Sequence, residues 1–513
     1  MEEIKSREDT KILFVNPCLR RGGFTKLLPV GLAYVMTYFH ENGYRFDLLD
    51  IDINEYDNSY VENFVKEKKY DFVLLGSIVT HYKWIKWFVK SVKKNNPKTD
   101  VIVGNSVGGS IPDVFLRNAP ADAVVIGEGE ITALELVDAI RLGKDLTKVE
   151  GIAFMDTNGE FVRTPARKVG KIDDIPMVNW DFFDVDRYLA QPPDAMDPEE
   201  TESNIRAIPL ATARGCSFRC TFCHFVFWND PYRNRSPKLI IQEIKRNIEK
   251  YKANYINFWD DLSFASAKQV SRLVDEILVS GLKFKWTAAI RADIFSRNHL
   301  SKEESLEVAK KMKQSGCFSV GFSLETGSEE ILKMMNKKIT VNEFHDTVQV
   351  LRNAGIICNT SVVFGYPIET KETIRKTFEQ CLKVSVYPSI GFLLPLPATG
   401  MWDYAKANGL ITDEDKFLDS ITERQDICLN MTKLSDEEIM EEIKSGAKKL
   451  NDMLQLGLTE DRYIRTGRPV NYKSHKKLQK ELPMDPDNIQ RNENDFSFNY
   501  SAQEFKYTEN SIS

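Results

Sequence analysis

From Lys11 onward, short apolar runs alternate with helix-length amphipathic stretches. The runs KILFV (11–15), FDLLDI (46–51), DFVLLG (71–76), DVIVG (100–104) and AVVIG (123–127) are almost continuously apolar, as strands covered on both faces are. This rhythm predicts a doubly wound (Rossmann-like) α/β unit over 8–150, a parallel sheet with helices on both sides. Ligands of such sheets sit at the carboxyl ends of the strands. Glycines recur there: Gly22, Gly23, Gly76, Gly104, Gly108, Gly109, Gly127 and Gly129.

GIAFMDTNGEFVRT (151–164) reads as two alternating strands turned at Asn158 and Gly159. With the proline-bearing stretch after it, this forms an expected hairpin and connector over 151–204, packed on the surface of both units. A second series starts near Ala207, with strands expected at AIPLATA (207–213), YINFWD (255–260), KWTAAI (285–290), SVGFSL (319–324), ICNTSVVFG (357–365) and IGFLLPL (390–396). Six strands separated by helix-length segments predict a partial (β/α)6 TIM-like barrel over 205–410, with its functional groups at the strand carboxyl ends. A helical segment is expected over 411–460, and the Asn-, Lys-, Glu- and Ser-rich 461–513 reads as a flexible tail.

Charge narrows the partners. The 69 basic and 75 acidic residues give a net charge of -6 with the signs interleaved, so nothing points to nucleic acid or an anionic membrane. The N-terminal residues lack the apolar core of a secretory signal, and the apolar stretch 27–39 is too short for a membrane span. A cytoplasmic protein is the expectation. Of 8 cysteines, Cys18, Cys317, Cys358, Cys381 and Cys428 are scattered in hydrophobic surroundings and read as buried thiols of a reducing compartment.

The other three are clustered. ATARGCSFRCTFCHF (211–225) follows a predicted strand and places Cys216, Cys220 and Cys223 on one short loop at spacing C-x3-C-x2-C. Soft thiolates suit iron-sulfur clusters, copper(I) or zinc. A four-iron cluster held by three cysteines keeps one iron open to another ligand. A Cys3His zinc site would need His224, but adjacent residues rarely converge on one tetrahedral ion. The C-x-x-C-H haem signature also matches, yet it requires export and leaves Cys216 unexplained.

Cys216, Cys220 and Cys223, with Phe222 before the last cysteine, resemble the signature of the radical S-adenosylmethionine (SAM) superfamily, and the likeness extends over about 205–410. The resemblance implies a [4Fe-4S] cluster whose unique iron binds SAM and whose electron cleaves it to a 5'-deoxyadenosyl radical. By position it also implies SAM contacts at Phe222, at Asp260 and Asp261 after the second barrel strand, at Arg291 after the third, at Ser323 and Glu325 on the fourth and at Gly365 after the fifth. Aromatics near the loop, Phe225, Phe227, Trp228 and Tyr232, are candidates for a substrate wall.

An open α/β unit before such a core resembles the cobalamin-binding domain of the B12-dependent class. The loops GSIVTHY (76–82), GNSVGGS (104–110) and GEGE (127–130) would then face the corrin, with Gly76, Ser77, Gly104, Gly108, Gly127 and Glu128 as contacts. The chain departs from corrinoid proteins that ligate cobalt through D-x-H-x-x-G, because its first loop reads Asn16, Pro17, Cys18, Leu19, Arg20, Arg21, Gly22. His81, at the end of the third strand, reads as a polar loop residue, and Cys18 as a buried thiol.

Taken together, the resemblance implies a cobalamin-dependent radical SAM enzyme that methylates an unactivated carbon of a small-molecule substrate and is reduced by a flavodoxin or ferredoxin. The alternatives are a non-methylating radical reaction, as in the anaerobic magnesium-protoporphyrin cyclase family, and a non-enzymatic iron-sulfur or corrinoid carrier or sensor. A methylthiotransferase would need a second cysteine set near the N-terminus, where Cys18 stands alone.

Overall fold

The computed structural model describes residues 5–19, 26–190, 205–224, 230–421 and 426–464. The aromatics at 225, 227 and 228, the glycines at 22 and 23 and most of the expected tail lie outside the described residues.

The first sheet contains β1 (Ile12–Asn16), β2 (Phe46–Asp50), β3 (Phe72–Gly76), β4 (Asp100–Gly104), β5 (Ala123–Val125), β6 (Ile152–Met155) and β7 (Phe161–Arg163), in spatial order β2-β1-β3-β4-β5-β6-β7. Strands β1 to β5 are parallel. All five residues of β1 are buried, which accounts for its unbroken apolar run. The order reverses between β1 and β3, the point where doubly wound sheets open a crevice for ligands. The hairpin does not stay in the connector. Its strand β6 pairs antiparallel with β5 and lengthens this sheet past residue 150, giving the short β5 a partner on its second edge.

The second unit contains β8 (Ala207–Leu210), β9 (Ala213–Arg214), β10 (Arg233–Asn234), β11 (Tyr255–Phe258), β12 (Lys285–Ala289), β13 (Cys317–Gly321), β14 (Ile357–Asn359), β15 (Ser361–Phe364) and β16 (Ser389–Phe392). Strands β8, β11, β12, β13 and β14 form a parallel sheet, and β15 pairs with β16. The single strand expected over 357–365 is broken at Thr360, whose hydroxyl accepts from Leu324 N and whose carbonyl accepts from Ser389 N. A bridge between Glu325 and Val362 joins the two pieces, so six strand positions curve round one interior as a partial barrel.

The connector is less superficial than its composition suggests. Trp180 is buried, its backbone N–H donating to Tyr251 Oη (3.3 Å), and Asn179 N donates to Thr37 Oγ1 (2.9 Å), so the segment is wedged between the units. At the C-terminal side, the helix Asp436–Leu454 packs on the helix Lys371–Lys383. The short helix Glu414–Ser420 reaches back to the first unit, where Asp415 accepts from Tyr82 Oη (2.6 Å) and Lys86 Nζ (2.8 Å). Among the described residues no helix is long and apolar enough to cross a membrane.

Candidate active site

The loop bearing the three cysteines leaves the barrel at β9 and returns at β10, and these strands pair antiparallel, clasping its base. Gly215 makes the exit. It has φ +83°, and a Cβ there would lie 2.6 Å from Pro231 O, so no other residue fits without moving the clasp. Asp260 braces the same base: its carboxylate accepts from Thr212 N (2.8 Å), Ala213 N (3.0 Å) and Thr212 Oγ1 (2.6 Å). Sequence position suggested a cofactor contact for Asp260, but its acceptors are turned to this brace.

The loop's own length is held by four further contacts. Thr221 N donates to Met335 O (2.9 Å), Met401 N to Thr221 O (3.0 Å) and Asn336 Nδ2 to Arg219 O (2.7 Å). The Phe218 ring packs against two guanidinium groups, Arg291 at 3.4 Å and Arg297 at 4.4 Å from its centroid. Arg291 in turn donates from Nε and Nη2 to Asp293 and from Nη2 to the carbonyls of Lys337 and Lys338. The Arg291–Asp293 pair is thus buried framework and supports the cysteine loop from below.

Cys216, Cys220 and Cys223 all line one cavity of about 990 Å³. Burial raises the thiol of Cys220 above its ordinary range, and desolvation by the cavity walls pushes that of Cys223, itself exposed to the cavity, up to about 12, so metal binding must displace their protons. Among the described residues no three His, Cys, Asp or Glu side chains stand close enough to hold a single metal ion. Three soft thiols lining one cavity are the donor set an iron-sulfur cluster takes. His224 takes no share in that wall: its Nδ1 is 2.8 Å from Pro397 O, and burial lowers its pKa to about 4.

Beside the thiols the same cavity is lined by Phe222, Asp261, Ser323 and Glu325, and by Lys337, which sequence position had not singled out. Lys337 pairs with Glu325, and its Nζ lies 5.9 Å from the Phe222 ring centroid. Burial works to lower the Lys337 pKa, but the charges of Glu325 and Cys220 outweigh it and the ammonium is favoured. Glu325 has φ +65°, a strained conformation for a residue with a side chain. Ser323 Oγ is 2.6 Å from Ser361 Oγ. Asp261 is the exception among these polar groups, since its carboxylate is exposed in the cavity with no hydrogen bond, and desolvation by the surrounding walls together with the charge of Asp260 raises its pKa to about 6. Gly365 does not line the cavity; its N–H donates to Glu369 Oε2 (3.3 Å) and it turns the chain with φ +106°. Tyr232 also points elsewhere, its hydroxyl donating to Ser263 O (2.9 Å).

The opposite wall belongs to the first unit. Gly76 and Gly104 are paired at the ends of β3 and β4, and Gly127 follows β5; all three line the cavity. A Cβ at Gly127 would meet nothing within 4 Å, and at Gly104 nothing nearer than 4.0 Å, so the bare backbone faces open space that a large flat ring could fill. Gly108 and Ser77 lie outside this wall. A Cβ on Gly108 would strike Val124 at 2.8 Å, which makes it a packing glycine, and Ser77 Oγ is 3.2 Å from His81 Nδ1. His81 itself is buried and stacked on Trp84 (5.1 Å between centroids), and Cys18 is buried with Lys26 Nζ 3.8 Å away. Glu128 lines the cavity, yet its carboxylate is taken by Arg214 and Arg233 of the barrel, while Glu130 takes the other arm of Arg214.

Residues 210–381 match the family model of the radical SAM superfamily, and residues 24–137 match that of the B12 binding domain. An uncharacterized methyltransferase of Pyrococcus horikoshii is 30% identical over 414 residues, 78% of this chain and 84% of its own. The protein belongs to the radical SAM superfamily, in the branch with a B12-binding domain. Within that branch, the anaerobic magnesium-protoporphyrin IX monomethyl ester cyclase of Rubrivivax gelatinosus is 28% identical over 383 residues, 72% of this chain and 65% of the cyclase. Among solved structures, the radical SAM methyltransferase TsrM of Kitasatospora setae superposes with a TM-score of 0.64 at 17% identity, covering 79% of this chain and 77% of TsrM. The fold of this radical SAM protein is thus the two-unit architecture of TsrM.

Proposed function

We propose that this radical SAM protein is a cobalamin-dependent methyltransferase acting on an unactivated carbon of a small molecule. One observation carries the reading: a single cavity is walled on one side by Cys216, Cys220 and Cys223 and on the other by Gly76, Gly104 and Gly127. A relative carrying the name methyltransferase over most of its length favours methyl transfer. When bound, the cluster with SAM supplies a hydrogen-abstracting radical, and the corrinoid supplies a transferable methyl group.

The chain's residues then have separable tasks. Cys216, Cys220 and Cys223 hold the cluster. Asp261, charged above about pH 6, orients a cationic group such as the SAM amine, while the Lys337 and Glu325 pair and Ser323 serve its carboxylate and ribose, with Phe222 packed beside them. Gly76, Gly104 and Gly127 let backbone approach the corrin. Apolar side chains of both units, among them Leu32, Ile78 and Trp259, line the space between and exclude water. The cluster needs a one-electron donor, for which a flavodoxin or ferredoxin suits. All eight cysteines are free, which agrees with a reducing cytoplasm.

The cyclase relative supports a second reading, a radical reaction without methyl transfer. The test needs no knowledge of the substrate. Protein reconstituted anaerobically with iron, sulfide and cobalamin is reduced and given methyl-labelled SAM. Both 5'-deoxyadenosine and labelled methylcobalamin with S-adenosylhomocysteine are expected. Deoxyadenosine without methylcobalamin would replace the methyl-transfer reading with the second one.

A further inference from the structure

Where an electron can enter is decided by what covers the cysteine loop from outside. The thiols line the cavity shared with the first unit. Away from them the loop presents residues 217–219, in which Ser217 and Arg219 are exposed and Phe218 is half-buried. Electron transfer between proteins falls off steeply with distance, so a carrier must dock close to this loop. Arg219 is the neighbour of Cys220 in the chain.

Two further segments pack against the same stretch. Asn336 Nδ2 donates to Arg219 O (2.7 Å), while Thr221 donates from Oγ1 to Met334 O (3.2 Å) and from N to Met335 O (2.9 Å), which lays 333–338 along the loop. The Arg297 guanidinium, 4.4 Å from the Phe218 ring centroid, brings 296–302 to it as well. Residues 217–221, 296–302 and 333–338 together contain Arg219, Arg297, Lys302, Lys333, Lys337 and Lys338 and no aspartate or glutamate. Of the acids beyond their ends, Asp293 is spent on Arg291, Glu304 and Glu343 cap Ser301 and Thr340, and Glu329 accepts from Val341 N. Glu303, Glu330 and, on the helix Gly400–Ala407 beside Thr221, Asp403 stand at the margin.

Lys337 is taken inward by Glu325, but Arg219, Arg297, Lys333 and Lys338 are exposed. In a chain of net charge -6, a basic face round the cysteine loop is a local asymmetry of the kind that steers association. A nucleic acid would need positive charge continued along its length. A compact acidic protein needs only the face itself.

Resting on the cluster of the proposed function, we infer that the basic face formed by Arg219, Arg297, Lys333 and Lys338 is the docking surface of an acidic one-electron carrier protein. The reduced carrier gives up one electron and is oxidised, the cluster gains that electron, and no bond or proton moves. Exposed charges of this kind act mainly on the rate of encounter and are screened by salt, so the contact is transient and salt-sensitive.

The test follows reduction of the cluster- and cobalamin-loaded protein by flavodoxin hydroquinone, an acidic carrier, using freeze-quench electron paramagnetic resonance. Dithionite serves as a small reductant that needs no dock. The parent's rate with flavodoxin should fall steeply between about 50 and 300 mM salt. R219E/K333E/K338E, which keeps Arg297 on the Phe218 ring, should slow reduction by flavodoxin about tenfold or more, with the dithionite rate within about threefold of the parent's. K66E/K90E/K94E reverses three exposed lysines of the first unit and carries the same net charge; it should match the parent with both reductants. Equal slowing by the two triple variants, slowing of R219E/K333E/K338E with dithionite as well, or a parental flavodoxin rate in that variant would overturn the inference. Tighter binding of a single-stranded oligonucleotide than of flavodoxin by the parent, at one salt concentration, would assign the face to nucleic acid and overturn it too. Neither substrate nor methyl transfer enters these rates, so loss of the methyltransferase reading leaves them as they are. A sample that takes no electron from either reductant would remove the cluster and the inference together.

Discussion

At the residue scale, the thiols and the buried acid Asp50 carry the sharpest expectations. Replacing Cys220 by alanine removes one of three cluster ligands. Iron content after reconstitution should fall to a small fraction of the parent's, and 5'-deoxyadenosine formation below detection, with the thermal melt of the apo-protein little changed. A full iron complement in that variant would refute cluster ligation by this loop. Asp50, buried at the end of β2, carries the second expectation. Burial raises its pKa from 3.8 to about 6 against the opposing hydrogen bonds from Asn16 and Tyr188. Because the folded-state value lies above the unfolded one, its stabilising contribution is complete below pH 3.8 and is lost as pH rises through about 6. Melting temperatures at pH 5 and pH 8 should therefore differ more in the parent than in Asp50→Asn; equal slopes would show that burial does not set this acid's titration.

Asp260 and Asp261 show where residue-level sequence reading stops. Adjacent acids at a strand end look equivalent along the chain, and both were expected to touch SAM. Both follow the end of β11 and line the cavity, but Thr212 and Ala213 saturate the Asp260 carboxylate at the loop base while Asp261 accepts no hydrogen bond. Lys337 left no local signal at all, because its meaning depends on Glu325 folding back against it across twelve residues.

At the element scale, the cysteine loop is a clasped excursion whose geometry hinges on Gly215. Gly215→Ala would bring a Cβ to 2.6 Å from Pro231 O and retain φ +83°. The strain is on the order of 1–3 kcal/mol, and it falls on the clasp between β9 and β10. The expected result is a lower melting temperature together with sub-stoichiometric iron, read by calorimetry and iron analysis on the same sample. An alanine variant with parental iron content and melting temperature would contradict the tight clasp. The loop's existence was legible from C-x3-C-x2-C after a strand. The bracing by Phe218 against Arg291 and Arg297 was not, because these residues lie more than seventy positions apart in the chain.

At the scale of the whole molecule, one contact between the two units runs through Arg214, two residues before Cys216. Its guanidinium meets Glu128 and Glu130 at the start of the helix Gly129–Arg141 and lies 4.9 Å from the Tyr34 ring centroid. Removing one partner of a buried pair costs about 3–5 kcal/mol, less here since both side chains keep some solvent contact. A double-mutant cycle of Arg214→Gln and Glu130→Gln should give non-additive losses in melting temperature. It should also slow methylcobalamin formation more than deoxyadenosine formation, because the first reaction needs both walls in register. Additive effects would mean the pair does not couple the units.

The sequence by itself determined the two α/β units, the family and the three thiols, because those properties live in short-range patterns: apolar runs, turn glycines and ligand spacing. Only the tertiary structure decided that the hairpin extends the first sheet, that Glu128 joins an interdomain ion pair, and that Gly108 packs against Val124 instead of facing the cavity. Each of these depends on which distant backbone edge or charge comes to lie opposite a given side chain. That choice is made by packing and hydrogen-bond closure over the whole chain, and local spacing carries no record of it.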